Sequence, residues 1–259
     1  KIPEPSKNQD KIKLPRSKEY GVKAFNDIQT YLIAKGKWRA TITGYDREYY
    51  FRNGHASGGA LSMLWHKELG PILSASLNEY QLVEEQNMQI HSDPYYMPLT
   101  PRLQFVEDGV HYMNISDLSA SINYKETKDA ITFHTQAGLV DEDQNSPAQG
   151  RINCKINYRI EGECIHITIN GQQKMPEGCR YIIPIVSTNN QKVETKDKGV
   201  IIHKDIGTIK VVGNTIPEIL PSKNGRIFNY VPGMEAVPTA FDFDSSGKIK
   251  IKILFEKST

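Results

Sequence analysis

The stretch Trp38–Leu77 reads WRATITGYDREYYFRNGHASGGALSMLWHKELGPILSASL. Trp38 to Tyr45 alternates large and polar side chains, the period of a half-buried strand. Ala60 to Trp65 is short and mostly apolar. Pro71 to Leu77 is another short run, reached through the turn His66-Lys67-Glu68-Leu69-Gly70. Between the first two runs lies the densest glycine-polar segment of the chain, Arg52-Asn53-Gly54-His55-Ala56-Ser57-Gly58-Gly59. Short runs punctuated by Gly, Asn, Asp and Pro predict hairpins. A polar, glycine-rich loop carried by rigid strands is a common place for binding or reacting groups.

The same grammar continues downstream. Val110–Ile115, Ser119–Tyr124 and Ala130–Thr135 read as strands, and Asp141–Gln149 as a polar loop. Arg151–Ile160 and Cys164–Ile169 predict a hairpin through Glu161-Gly162. Near the end, Ile249, Ile251 and Ile253 alternate with Lys248, Lys250 and Lys252, which predicts one buried and one wet face. Many short strands at close spacing predict an all-β fold, a large antiparallel β-sandwich. At most one helix is expected, over Ser17–Lys35, where Val22, Phe25, Ile28, Tyr31 and Leu32 fall at three- and four-residue steps. The competing reading of that segment is extended chain with a turn at Asn26-Asp27. Residues 1–16 are rich in Lys and Pro and predict an extended lead-in to a single domain over 17–259. His91 to Pro101 holds three prolines and predicts an irregular surface connection carrying Tyr95 and Tyr96.

Composition narrows the function. With 259 residues and 38% hydrophobic content the chain can bury a core. The net charge of +2 balances 32 basic against 30 acidic residues, which argues against a dedicated nucleic-acid partner. No apolar run reaches the roughly 18–20 residues of a membrane span. The start, Lys1-Ile2-Pro3-Glu4-Pro5, carries no apolar signal core and suggests the C-terminal part of a larger chain. Cys154, Cys164 and Cys179 are too few for a disulfide framework, and their spacing fits no zinc motif. One bridge between Cys154 and Cys164 is open on neighbouring strands; buried free thiols are the favoured reading.

The residues Asn53-Gly54-His55-Ala56-Ser57-Gly58-Gly59-Ala60-Leu61-Ser62, followed by Gly70-Pro71-Ile72-Leu73, resemble a signature of the heparinase II/III-like polysaccharide lyases. That family carries a His-Gly-His-x-Asp loop on a β-sandwich placed after a helical toroid, with the cleft between the two. The resemblance implies a lyase-type supersandwich, a polysaccharide ligand, an upstream helical domain as partner and an extracytoplasmic location. It also has departures. The first loop histidine falls on Asn53, the second on His55, the loop aspartate on Ser57 and a later aspartate near Ser74 or Ala75. One imidazole does not make a metal site, so the chain is expected to bind no zinc or calcium and no cofactor.

β-Elimination needs the uronate carboxylate neutralised, a base for the ring proton and an acid for the leaving oxygen. Asn53 or Arg52 suits the first task and His55 the second. Tyr50, or its neighbours Tyr49 and Tyr45, suits the third. Trp38, Tyr95 and Tyr96 are the candidate sugar-binding aromatics, with Trp65 expected to be the buried tryptophan. His66 is expected to be a solvated strand end. Glu79, Glu84 and Glu85 are expected to be a solvated acidic run rather than a glycosidase pair. A non-catalytic carbohydrate-binding or scaffolding module is the rival to the lyase reading.

Overall fold

The structure, a computed structural model, describes residues 17–46, 56–76, 95–171 and 174–258. In chain order the first strands are β1 (Gly21–Phe25), β2 (Thr30–Lys35), β3 (Trp38–Thr43), β4 (Ala60–His66) and β5 (Gly70–Ser74). Then come β6 (Arg102–Glu107), β7 (Val110–Met113), β8 (Ser121–Glu126), β9 (Ala130–Leu139), β10 (Ile152–Glu161) and β11 (Cys164–Gly171). The chain continues through β12 (Arg180–Val186), β13 (Val193–Lys196), β14 (Gly199–Lys204) and β15 (Gly207–Gly213). It closes with β16 (Glu218–Ile219), β17 (Ile227–Asn229), β18 (Met234–Asp242) and β19 (Lys248–Lys257).

These strands form three antiparallel sheets. A five-stranded sheet runs β1-β2-β3-β4-β5, and an eight-stranded sheet runs β13-β14-β15-β19-β11-β10-β9-β8. A six-stranded sheet runs β16-β18-β12-β6-β7, with β17 paired to β18. One hydrophobic core draws on all three: Ile33, Ile42 and Leu64 from the first, Ile167, Ile251 and Tyr158 from the second, Tyr181 and Phe241 from the third. Ile249, Ile251 and Ile253 are buried while Lys248, Lys250 and Lys252 are exposed, as the alternation predicts. Each such isoleucine contributes about 1.5–3 kcal/mol relative to an exposed one. The fold is the expected all-β antiparallel sandwich.

No α-helix occurs among the described residues, so Ser17–Lys35 is not helical. It forms β1, a 3₁₀ turn over Asn26–Ile28, and β2. Gln29 takes the left-handed conformation (φ 45°) and reverses the chain. Val22 then pairs with Ile33, and Phe25 with Thr30. Pairing lets Tyr31 and Ile33 enter the core while Phe25 and Ile28 stay exposed. A helix would instead have put Phe25, Ile28 and Tyr31 on one stripe. Sheet context here overrides an ambiguous local pattern.

The tryptophans are the reverse of expectation. Trp38 is 0% exposed and Trp65 is only partly buried. For Trp65 the cause is a β-bulge that leaves Ser62 as the extra residue on β4; a second irregularity leaves Ile72 extra on β5. Register shifts between Thr41 and Ile42 on β3 against β4, and between Leu64 and Trp65 on β4 against β5. Strict alternation from Leu61 would send Met63 and Trp65 inward. The extra residue instead puts Leu64 and His66 inside and turns Trp65 out. His66 is therefore 2% exposed rather than solvated. Its ring sits 4.7 Å from Trp38 and 4.7 Å from Phe255. Its Nδ1 accepts the Glu68 N–H at 3.3 Å.

Burial holds the His66 pKa below the ordinary histidine value; Glu68 pulls it up and Lys37 pushes it down. The neutral ring is thus the native form, and the unfolded chain binds the extra proton. The stability this provides is complete above the unfolded pKa of about 6.5 and is lost as pH falls through the lower folded value. Within that window each pH unit costs up to about 1.4 kcal/mol per group. Melting temperature is expected to drop from pH 7 to pH 5, and His66→Gln to flatten part of that slope. An unchanged slope in the variant would show that His66 is not the sensor.

All three cysteines are free and buried. Cys154 stands opposite Gly171, whereas Cys164 lies beside the β10–β11 turn and opposite Leu254, so the two are at opposite ends of the hairpin. Burial pushes the Cys154 thiol up to about 12.

Candidate functional site

Antiparallel pairing gathers several connections at one end of the five-stranded sheet. Thr30 pairs with Thr43, Thr43 with Ala60, and Met63 with Ser74. The β1–β2 turn, the exit of β3, the entry of β4 and the exit of β5 therefore share that end. The chain leaves the described region there after Asp46 and returns at Ala56. It leaves again after Ser76 and returns at Tyr95. Tyr50, Arg52, Asn53, His55, Glu79, Glu84 and Glu85 lie outside the described residues, as do the lead-in 1–16 and Tyr49.

The first neck is tied by Ser57, which is 0% exposed. Its Oγ accepts the Asp46 N–H at 2.8 Å and donates to the Asp46 carbonyl at 3.0 Å. Ser57 N–H donates to the Ile115 carbonyl, and Gly58 N–H to the Gly44 carbonyl, each at 3.1 Å. Asn114, also 0% exposed, accepts the Leu103 N–H at 2.7 Å and donates to the Gly58 carbonyl at 3.3 Å. The serine that stands where the lyase loop has an aspartate is thus a fastener between the two ends of residues 46–57.

The second neck is tied by Ser76, Tyr96, Thr100 and Asn229. Ser76 N–H donates to Thr100 Oγ1 at 3.2 Å, and Leu99 N–H to Ser76 Oγ at 2.8 Å. Asn229 Nδ2 donates to Ser76 Oγ and to the Tyr96 hydroxyl, each at 3.1 Å. Arg102, 2% exposed, braces the exit by donating to the Pro98 and Thr100 carbonyls at 2.9 and 3.3 Å and to Gln104 Oε1 at 2.8 Å. Burial lowers its pKa to about 10, so it stays charged at neutral pH. Of the two candidate tyrosines, Tyr96 is part of this fastening, and Tyr95 is 41% exposed beside it.

Between the necks the outer face of the sheet forms an open groove of about 600 Å³. Its floor carries Thr30, Thr41, Thr43, Ser62 and Met63, with Tyr45 at its edge. Ser62 Oγ donates to the Thr41 carbonyl at 3.2 Å and lies 2.8 Å from Thr43 Oγ1. Half-buried hydroxyls of Thr30, Thr41 and Ser62 beside an exposed methionine and a 44% exposed tyrosine suit a ligand with both hydroxyls and C–H faces. Tyr45, one of the three candidate acids, is thereby placed on the groove. Trp38 is not: its ring is wholly inside, because it shares the inward phase of Ala40 and Ile42, so it offers no stacking face.

Sequence reasoning missed the fasteners. Ser57 looked like a lost ligand, and its role depends on Asp46 lying beside it. Asn229 acts on Ser76 across 153 residues, which no local signal can announce. The two adjacent glycines were the one hint: Gly58 and Gly59 have φ of 69° and 71°, a backbone that side chains disfavour.

Residues 22–256 match the model of the ulvan lyase C-terminal domain. A broad-specificity ulvan lyase of Formosa agariphila is 30% identical over 244 residues, covering 93% of this chain and 38% of the relative's length. The chain therefore spans well under half of that protein. Among solved structures, the heparan sulfate lyase HepC of Pedobacter heparinus superposes with a TM-score of 0.60 at 8% identity, over 94% of this chain (in a mutant form) and 37% of the lyase. The 4-alpha-glucanotransferase of Thermococcus litoralis superposes at 0.53 with 11% identity, over 94% and 40% of the two chains. These two likenesses concern the fold alone. The family match over nearly the whole chain identifies it: the chain belongs to the ulvan lyase C-terminal domain family, as the β-sandwich domain of a polysaccharide lyase-like protein.

Proposed function

We propose that this domain forms one wall of a cleft for an acidic polysaccharide, and that a helical domain earlier in the same protein forms the other wall. The observation that carries this reading is the convergence of both loop necks and the hydroxyl-lined groove at one end of the five-stranded sheet. The ulvan named for its relative is the first substrate to test. In this reading Asn53 or Arg52 neutralises the uronate, His55 takes the ring proton, and Tyr50 or Tyr45 protonates the leaving oxygen. Tyr95 meets the chain at the margin. Residues 17–259 act as one unit, and the protein works in an extracytoplasmic space, where such polymers occur.

The domain alone is not expected to depolymerise its polymer at a useful rate. Reacting groups must converge within roughly 3–3.5 Å, and a groove open to water weakens each hydrogen bond to the developing enolate. The measurement is absorbance at the unsaturated-uronate band with ulvan, for the 259-residue chain and for the longer protein. Turnover by the chain alone would overturn the need for a facing domain. Binding of ulvan by the chain, with no turnover by the longer protein, would favour a carbohydrate-binding module, a role the open groove also suits.

A further inference from the structure

We propose that Glu161, Cys164 and His166 form a binding site for a zinc-class divalent metal ion on the outer face of the eight-stranded sheet. The site is separate from the groove. A Cβ on Gly36, in the β2–β3 turn at the far end of the five-stranded sheet, would lie 2.8 Å from Gly162 of the β10–β11 turn. The trio thus sits beside the end opposite the loop necks.

Strand periodicity creates it. Ile165 and Ile167 point into the core, so Cys164 and His166, two residues apart, share the outer face. Ile160 is inward, so Glu161 is outward as well, at the other side of a two-residue turn. The ligand atoms form a compact triangle: Cys164 Sγ is 3.3 Å from Glu161 Oε2 and 3.2 Å from His166 Nε2. His166 Nε2 and Glu161 Oε2 are 3.7 Å apart. Zinc bonds of about 2.0–2.3 Å in a tetrahedron put neighbouring ligands about 3.3–3.6 Å apart. The triangle is therefore close to one face of that tetrahedron, with the fourth vertex left for water or another donor.

An outer partner is already in place. Arg159 Nε donates to Glu161 Oε1 at 2.7 Å, which leaves Oε2 turned towards the sulfur and the imidazole. Fixing one carboxylate oxygen in this way orients the other for a metal. Thiolate, imidazole and carboxylate together suit zinc and its transition-metal neighbours, not calcium or magnesium, which take oxygen ligands. Without metal the thiol donates its proton to Glu161, and burial raises its pKa. Binding M²⁺ exchanges that proton for a metal–sulfur bond and releases it to solvent. Lys252, opposite His166 on β19, is a second cation beside Arg159 and favours the thiolate, while Glu163 opposes it. The Cys-x-His pair with a glutamate across a turn follows no spaced zinc motif, so the cysteine spacing alone could not indicate it.

The test is titration of the 259-residue protein with Co²⁺, then displacement by Zn²⁺. One equivalent is expected to bind, with a thiolate-to-cobalt charge-transfer band that zinc abolishes. Cys164→Ser should remove the band. His166→Ala and Glu161→Gln should each weaken binding by at least about tenfold, and Arg159→Ala by about 10–100-fold. His134→Ala, an exposed histidine elsewhere on the same face, should change nothing. A wild type without the band, or a band that survives both Cys164→Ser and His166→Ala, overturns the proposal.

Discussion

Gly58→Ala is expected to cost about 3 kcal/mol or more of folding stability. Two terms add. Gly58 holds φ 69°, where a non-glycine residue costs of order 1–3 kcal/mol. A Cβ there would also lie 1.7 Å from the Asn114 carbonyl oxygen and 2.5 Å from its carbon. Those are backbone atoms of a buried turn, so no rotamer change can relieve them. Asn114 would have to withdraw, and with it the bonds to Leu103 and Gly58 that close the first neck. Gly225 supplies the control. Its φ is 72° but nothing lies within 4 Å of its would-be Cβ. Gly225→Ala should therefore cost only about 1–2 kcal/mol, the backbone term alone. Urea midpoints of the two variants separate the terms. Equal losses at both positions would show that the close packing of Gly58 on Asn114 is not what holds the neck.

The second large effect is on turnover in the longer protein. His55→Ala is expected to lower it by about 10²-fold or more, the scale for a positioned acid-base group. Asn53→Ala should do the same by removing stabilisation of the enolate. Both residues lie in the segment that leaves the sheet at Asp46 and returns at Ala56. The fastening of that segment rests on Ser57, Gly58 and Asn114, and none of these bonds uses the side chains of Asn53 or His55. Melting temperature is expected to stay within about 1–2 °C of the parent, because the sequence places both residues in a polar loop, where substitutions cost within about ±0.5 kcal/mol. This split between activity and stability distinguishes the two substitutions from Gly58→Ala, which should lower both. An active longer protein indifferent to His55→Ala and Asn53→Ala would remove the loop from the chemistry.

Much of the fold is legible from residue order alone. Period-two alternation in Lys248–Phe255 and in the Arg151–Ile169 hairpin specifies strands, because one face must be apolar to enter a core and the other must tolerate water. The Asn53–Ser62 and Gly70–Leu73 segments also carry the family resemblance, which the match over residues 22–256 bears out. Local order could not decide which tryptophan is buried. That depends on the bulge in β4, where one extra residue reverses the phase of every side chain after it. It turns Trp65 outward and takes His66 from solvent to the core, while Trp38 is buried by the phase of β3 itself.

The site divides along the same line. The loop residues Arg52, Asn53 and His55 can be nominated from their types and spacing, since a polar, glycine-rich segment between strands is a local property. Their setting is not local. Ser57 becomes a fastener only because antiparallel pairing returns the chain to Asp46, and Ser76 only because Asn229 arrives from 153 residues away. The Glu161–Cys164–His166 triangle likewise depends on a hairpin bringing Glu161 across to the outer face of β11. Sequence alone determines which segments are strands and which side chains can do chemistry. Only tertiary structure decides which of them meet, because hydrogen-bonded pairing and bulges, set by the packing of the whole core, place each side chain on its face.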